Sequence, residues 1–143
     1  MAILTKGIRD ADYFTYRILA VAERTATGRI NCPALEFFRE QAHLHRENLT
    51  RLQALLTDVA RNGPHPGDQK FKRVTGTDGL FEFKVYQLRL FCFWDAGRVI
   101  ICTTGVVKKQ DRSDRVAIRT ALEWKAAYLQ AKEKGTLQHE LGH

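Results

Sequence analysis

The sequence has few of the residues that crosslink a chain, bind a metal or cross a membrane. Its 143 residues include only three cysteines, three prolines and five histidines. No apolar run approaches the roughly 20 residues that span a bilayer. The N-terminus also lacks an apolar core followed by a cleavage site, which a signal peptide would have. We therefore expect a cytoplasmic protein that does not associate with a membrane.

The cysteines and histidines form no recognisable ligand pattern. Cys32, Cys92 and Cys102 cannot all pair with one another, and their spacing matches no zinc motif. His43 and His45 lie two residues apart in a predicted helix, so their side chains point in different directions. We predict three reduced, structural cysteines, with neither a metal nor another cofactor.

Positive charge is what the chain has in excess. Its formal net charge is +7, and its composition of 44% hydrophobic and 27% charged residues is typical of a globular protein. Residues 1–63 carry nine Lys/Arg against seven Asp/Glu, whereas residues 64–143 carry fourteen against nine. The basic second half favours a polyanionic partner, of which nucleic acid is the commonest. The alternative is a merely solvated basic surface.

The first half of the sequence predicts a strand followed by two helices. The strand covers Tyr13–Ala22, although an apolar run this short could also be helical. After a polar loop, Pro33 suits a first helical turn. Helical periodicity then runs from Ala34 to Asn62 with a break near His43–Glu47. The sequence NGPHPG ends the second helix, because it combines two glycines with two prolines.

The second half predicts strands and a last helix. Apolar and polar residues alternate over Gly79–Tyr86, which is the period of a half-buried strand. Leu88–Asp95 is apolar on both faces, as a central strand would be. A turn at Ala96–Gly97 then leads to a returning strand over Arg98–Thr104. The last helix covers Val116–Lys134.

Two details follow from these assignments. If the Ala96–Gly97 loop has two residues, Cys92 faces Ile101, which argues against a disulfide with Cys102. Either Asp111 or Ser113 would cap the last helix. The whole chain predicts one α+β domain over residues 1–143, an antiparallel sheet with two N-terminal helices and a C-terminal helix packed on it. Residues 1–12 and 135–143 are expected to be peripheral.

Two adjacent lysines, Lys108 and Lys109, stand just before the start of the last helix. The N-terminal end of a helix carries partial positive charge, so it repels cations and attracts anions. The two lysines are therefore expected to have a negative partner. A bound phosphate between them and Arg89 would supply that charge.

Three stretches resemble the RelE/ParE superfamily of toxins from bacterial toxin-antitoxin pairs, and within it the phage-derived, HigB-like branch. They are NCPALEFFREQ (31–41), ALLTDVARNGP (54–64) and LFEFKVYQLRLFCFWDAGRVIICTTGVVKKQ (80–110), followed by the last helix. The branch usually has a histidine directly before the glycine of the G-V-V-K-K motif, and here that position is Thr104. The resemblance implies a RelE-like fold and a toxin of a type II toxin-antitoxin system.

The implied activity is that of a ribosome-dependent mRNA endonuclease. Its partners would be the ribosome, mRNA and a cognate antitoxin of the helix-turn-helix type. Cleavage through the RNA 2′-hydroxyl requires deprotonating that oxygen, stabilising a pentacoordinate phosphate and protonating the leaving oxygen. Cations can supply the electrostatic part of this chemistry without a metal.

The candidate site residues are cations of the second half. Arg89 is the candidate clamp for the scissile phosphate, because a guanidinium stays charged and binds two oxygens. Lys84 and Lys108 are candidates for the general acid or base. The remaining cations are candidates for RNA binding: Lys109, Lys70, Lys72, Arg73 and Arg112. Each of them could instead be a solvated charge, or a charge that protects a strand edge.

Two alternatives stay open at this point. The superfamily also includes inhibitors of DNA gyrase on the same fold, so a ParE-like gyrase inhibitor is one alternative. The other is a phage-derived nucleic-acid-binding protein without catalysis, which Thr104 in place of histidine favours. Glu82 could simply pair with Lys84, and the helical spacing of Tyr128 from Trp124 favours core packing.

Overall fold

The structure is a computed structural model that describes residues 2–8, 11, 15–65, 67–109 and 114–140. Its strands are β1 (Ala2–Gly7), β2 (Arg17–Arg24), β3 (Ile30–Asn31), β4 (Phe71–Arg73), β5 (Phe81–Val85), β6 (Leu88–Asp95), β7 (Val99–Val107) and β8 (Gln138–Glu140). Its helices are α1 (Pro33–Leu44), α2 (Arg46–Asn62) and α3 (Arg115–Lys134). These elements confirm the predicted α+β class.

The described strands form one sheet in the order β4-β5-β6-β7-β2-β1-β8, with β3 paired to β2 outside this path. Most neighbouring strands are antiparallel. The exceptions among them are β2 with β7 and β1 with β8, which are parallel. The β2–β7 pairing joins the two halves of the chain at the centre of the sheet.

Helices cover both faces of the sheet. Along β2, Ile18 and Ala20 belong to the core cluster that contains residues of α1 and α2, whereas Leu19 and Val21 belong to the cluster of Tyr128 from α3. Because successive side chains of a strand point to opposite faces, α1 and α2 lie on one face and α3 lies on the other. This arrangement explains why β6 is apolar on both sides.

The two N-terminal helices agree with the predicted periodicity. Pro33 occupies the first turn of α1, and the chain breaks at His45 before α2 begins. Gly63 ends α2 with a φ of 81°, a backbone conformation that glycine adopts at low cost. The preceding strand begins at Arg17, whereas the sequence predicted a start at Tyr13, which lies outside the described residues.

The hairpin between β6 and β7 corrects the predicted loop. Because Asp95 pairs with Val99, the loop has three residues, and its last residue, Arg98, has a φ of 61°. The extra residue shifts the register by one position, so Cys92 faces Cys102 and not Ile101. All three cysteines are free thiols buried in the core, as predicted. Burial raises the pKa values of Cys92 and Cys102.

The two ends of the chain contribute the strands at one edge of the sheet. β1 pairs antiparallel with β2, and β8 adds in parallel outside it. Leu4 of β1 is fully buried in the main core. The Thr5 hydroxyl lies 2.7 Å from Nδ1 of His139, which ties the two terminal strands together.

Tyr128 packs in the core, as its spacing predicted, and links α3 to the end of β6. Its ring meets Phe93 edge to face at 5.3 Å, and its hydroxyl donates a 2.5 Å hydrogen bond to Asp95 Oδ2. Lys132 Nζ donates to the other carboxylate oxygen of Asp95. Partial burial raises the pKa of Asp95, but the hydrogen bonds from Lys132, Tyr128 and the Ala96 N–H outweigh it and lower the pKa.

Asp95→Asn is expected to destabilise the protein by about 2 kcal/mol, because hydrogen bonds to a charged group contribute more than neutral ones. The folded-state pKa lies below the unfolded value of about 3.9. The stabilisation is therefore present above that value and is lost as the pH falls through the folded pKa. Urea unfolding between pH 3 and pH 7 measures both effects, with Asp78→Asn as the control. Equal acid sensitivity of Asp95→Asn and the parent protein would refute this assignment.

Candidate nucleic-acid interface

Two predicted site cations face each other across neighbouring strands. Lys84 of β5 and Arg89 of β6 are direct cross-strand partners, which places their Cβ atoms about 5 Å apart. Like charges in this position destabilise a sheet. Among the described residues no ion pair joins Glu82 to Lys84, so the structure does not have the pair that the sequence left open. The pair therefore concentrates positive charge at the turn between β5 and β6.

Arg89 is buried, although a cation near the end of a strand is usually solvated. Its side chain is 8% exposed. Its Nη1 donates to the carbonyl oxygen of Tyr86, and also to that of Leu88 at 3.1 Å. Arg89 thus fixes the β5–β6 turn in addition to placing positive charge beside Lys84.

Lys108 lies on the same face of the sheet as Arg89. Arg89 pairs with Val106 of β7, and Lys108 follows two residues later, so the strand period places Lys108 on the face that carries Arg89. The Lys108 N–H donates a 2.7 Å hydrogen bond to the carbonyl oxygen of Gln87 in the β5–β6 turn. The sheet therefore brings together Lys84, Arg89 and Lys108, the three predicted catalytic residues.

The negative partner of Lys108 is Asp114. The Lys108 Nζ lies 3.6 Å from Asp114 Oδ2, and Asp114 is the N-cap residue of α3. Its carboxylate makes no capping hydrogen bond to the helix. The protein itself thus supplies a negative charge at the helix start, where the sequence predicted a phosphate. The predicted caps, Asp111 and Ser113, lie outside the described residues.

A bulge in β7 reshapes the strand just before the lysines. Thr103 and Thr104 together lie opposite Phe91, between the paired positions Cys92–Cys102 and Leu90–Gly105. The Thr103 hydroxyl donates to the Phe91 carbonyl oxygen at 2.9 Å, and the Thr104 hydroxyl donates to that of Ala117 at 2.9 Å. Thr104, which replaces the usual histidine, therefore anchors β7 to the first turn of α3.

Gly105 follows this bulge because no side chain fits there. A Cβ added at Gly105 would lie 2.3 Å from Cδ2 of Phe37, a buried residue of α1. Contacts this short do not occur in proteins, so α1 and β7 approach each other only over a glycine. The glycine of the G-V-V-K-K motif thus serves packing and sets the path of the strand that ends at Lys108.

The structure also describes four of the five cations that were predicted to bind RNA. The Lys70 carbonyl oxygen accepts from the Lys84 N–H at 2.8 Å, and Lys72 of β4 faces Glu82 of β5. Lys70, Arg73 and Lys109 are exposed, while Lys72 is half-buried. Arg112 lies outside the described residues.

Sequence reasoning did not single out Tyr86, which lies in the turn between Lys84 and Arg89. It occupies the β5–β6 turn with a φ of 52° and is 63% exposed. A bulky residue in this left-handed region costs roughly 1 kcal/mol or more, and such strain is concentrated at functional sites. The Arg51 guanidinium of α2 lies 5.3 Å from the ring centroid. A tyrosine at the corner of a tight hairpin, where Gly, Asn or Asp is usual, was the signal in the sequence.

An open cavity of about 680 Å³ lies beside Tyr86, between α2 and the β4–β5 edge. Arg51 and Lys70 bring two cations to its wall, and Ala54, Leu55 and Val85 contribute apolar surface. Lys84 also borders the cavity, but its side chain lies on the face of Arg89, opposite that of Val85. Within the described part of the chain, no group of three or more His, Cys, Asp or Glu residues is placed to hold a metal ion. None of the described helices is both long and apolar enough to cross a membrane.

Comparison with known families agrees with this fold. Residues 37–125 match the model of the family described as Phage derived protein Gp49-like (DUF891). The match covers more than half of the chain and runs from α1 into α3, so it includes Lys84, Arg89 and Lys108. The chain belongs to this family, which is a RelE/ParE-like toxin family. No curated protein matches the chain.

Proposed function

We propose that this protein is a ribosome-dependent mRNA endonuclease, the toxin of a type II toxin-antitoxin pair of the HigB-like branch. The observation that carries the proposal is the pairing of Lys84 with Arg89, with Lys108 next along the same side of the sheet. Two cations from neighbouring strands and a third from just after β7 lie around one turn, where a phosphodiester would gain electrostatic stabilisation. The toxin family of the chain supports this choice of substrate.

The proposed roles follow the burial of each cation. Lys84 is half-buried, so part of its side chain is accessible, which suits a group that exchanges a proton with RNA. Arg89 holds the turn with Nη1, and its other nitrogens are free of described hydrogen bonds, so they are the part that would contact the phosphate. Lys108 would assist as the second acid or base, after a phosphate displaces Asp114. Lys109, Lys70, Lys72, Arg73 and Arg112 would bind the RNA backbone.

Dependence on the ribosome follows from what the cluster lacks. Thr104 binds the Ala117 carbonyl and does not stand in for a histidine base, and the Asp114 carboxylate is already paired with Lys108. Side chains alone would then be weak catalysts, and the ribosome would have to hold the mRNA in an in-line geometry.

We expect purified protein to cut a message during translation at least about 100-fold faster than the same message as naked RNA, because positioning supplies much of the rate. Primer extension in a reconstituted translation system measures both rates. Lys134→Gln, which changes an exposed lysine in the last turn of α3, serves as the charge-matched control. Equal cleavage of translated and naked RNA would refute ribosome dependence.

A second candidate is a phage-derived nucleic-acid-binding protein without catalysis, and Thr104 favours it. If Thr104 only anchors α3, the cluster binds phosphate but has lost one catalytic group. Retained RNA binding without cleavage in the translation assay would select this function. Inhibition of DNA supercoiling by purified gyrase would instead select the ParE-like alternative.

The proposal includes a cognate antitoxin of the helix-turn-helix type and a cytoplasmic site of action. A basic protein that acts on translated mRNA needs restraint, and an acidic segment covering Lys84 and Lys108 would provide it. Relief of growth arrest by a co-expressed gene from the same operon would support the partnership. Growth arrest that no adjacent gene relieves would contradict it.

A further inference from the structure

The cavity beside Tyr86 has the features of a site for a planar ligand with a negative charge. Tyr86 is 63% exposed, although contact between its apolar ring and water is unfavourable. Arg51 lies over the ring, which restrains its orientation before any ligand arrives. A volume of about 680 Å³ lies within the range of small-molecule sites.

The backbone beneath the ring is held rigidly in a strained conformation. Tyr86 has a φ of 52°, and Arg89 donates a hydrogen bond to its carbonyl oxygen. The next carbonyl oxygen, that of Gln87, accepts from the Lys108 N–H. Folding does not require a tyrosine at this corner, since glycine or asparagine would adopt the same φ at lower cost. The exposed face of the tyrosine ring is therefore available to contact a ligand.

The charges of the cavity select among planar ligands. Arg51 and Lys70 contribute two cations. The carboxylate of Asp58 also lines the cavity; it accepts a hydrogen bond from Asn62 at 2.8 Å and lies 3.6 Å from His65. An aromatic platform ringed by cations is how proteins bind single-stranded nucleic acid, with a base on the ring and the backbone on the cations.

We propose that the Tyr86 cavity binds one nucleotide of single-stranded RNA, with its base stacked on Tyr86 and its phosphate contacting Arg51 and Lys70. Because Lys84 lines the cavity and faces Arg89, the stacked nucleotide would neighbour the phosphate at the cation cluster. The inference rests on the proposed function only in the choice of RNA as the ligand. It adds a base-contacting residue that positions the strand.

Binding of a fluorescein-labelled octanucleotide with 2′-O-methyl riboses, measured by anisotropy, tests the proposal without any cleavage. Tyr86→Asn removes the ring at a position where asparagine tolerates the positive φ, so its melting temperature should equal or exceed that of the parent. Its affinity for the octanucleotide should fall about tenfold. Its affinity for an abasic octamer with the same backbone should not change, whereas Arg51→Gln should weaken binding of both ligands.

Three results would overturn the inference. The first is unchanged binding of the octanucleotide by a folded Tyr86→Asn variant, and the second is an equal loss of affinity for the abasic octamer. Displacement of the octanucleotide by poly-glutamate at an equal charge concentration would also count against it, since a polyanion surface does not need bases. Because this assay measures binding and not cleavage, the protein could bind the octanucleotide as expected even if it proved to have no nuclease activity.

Discussion

Replacing Gly105 with alanine is expected to destabilise the protein by about 3 kcal/mol, near the upper end of the effects of overpacking a core. The added methyl group would overlap the ring of Phe37, which is buried and has no free space to enter. Either α1 must move away from β7, or the strand must shift and carry Lys108 with it. Urea unfolding of the purified variant measures the loss.

A double-mutant cycle isolates the contact. Phe37→Ala alone leaves a cavity and also destabilises the fold by several kcal/mol. If the ring is what excludes a side chain at Gly105, the double variant should be more stable than the sum of the two single effects predicts. Gly76→Ala serves as a comparison: its Cβ would meet open space, so any loss of stability there comes from the φ of 78° and not from a steric contact. Strict additivity in the cycle would mean that the glycine serves another purpose.

Arg89→Ala is expected to abolish cleavage of translated mRNA and also to lower the free energy of unfolding by about 2 kcal/mol. Stability should fall because Arg89 is buried and the turn carbonyl of Tyr86 would lose its charged donor. A loss of activity in this variant alone is therefore ambiguous. Lys84→Gln resolves the ambiguity, since Lys84 is half-buried and has no described ion pair.

Lys84→Gln should lower the cleavage rate about 100-fold, the usual contribution of a general acid or base. The same change relieves repulsion with Arg89, so the melting temperature should stay constant or rise. Primer extension and thermal unfolding on the same protein samples measure both quantities, with Lys134→Gln as the control. A Lys84→Gln variant with full activity, or one whose activity falls only in proportion to its folded fraction, would remove Lys84 from the site.

Sequence periodicity predicted the elements whose packing is local. The break between α1 and α2 follows from spacing within a short stretch, as does the alternation along β5. β1 had no such signal, because Ala2–Gly7 gains its stability from pairing with β2 and β8, and β8 comes from the other end of the chain. Long-range pairing does not appear in the local pattern of residues.

The candidate site was predicted in its residues but not in its geometry. The cations Lys84, Arg89 and Lys108 stand out in a basic sequence, yet their burial depends on details that periodicity does not encode. Arg98 in a left-handed conformation changes the hairpin register, and the Thr103–Thr104 bulge changes which side each later residue of β7 faces. The partner of Lys108 was missed because Asp114 at a helix start resembles an ordinary cap.

The parallel pairing of β2 with β7 has a consequence for how the chain folds. Ile18 and Ile100 are partners in the ladder, so the centre of the sheet closes only after more than half of the chain has been synthesised. Pairings so distant in sequence slow folding, because the loop must close before any contact stabilises it. Until then β2 presents an unpaired apolar edge. Nascent chains that stop before Val99 are therefore the species most prone to aggregate, and only a chain that includes α3 can bury both Ile18 and Val21.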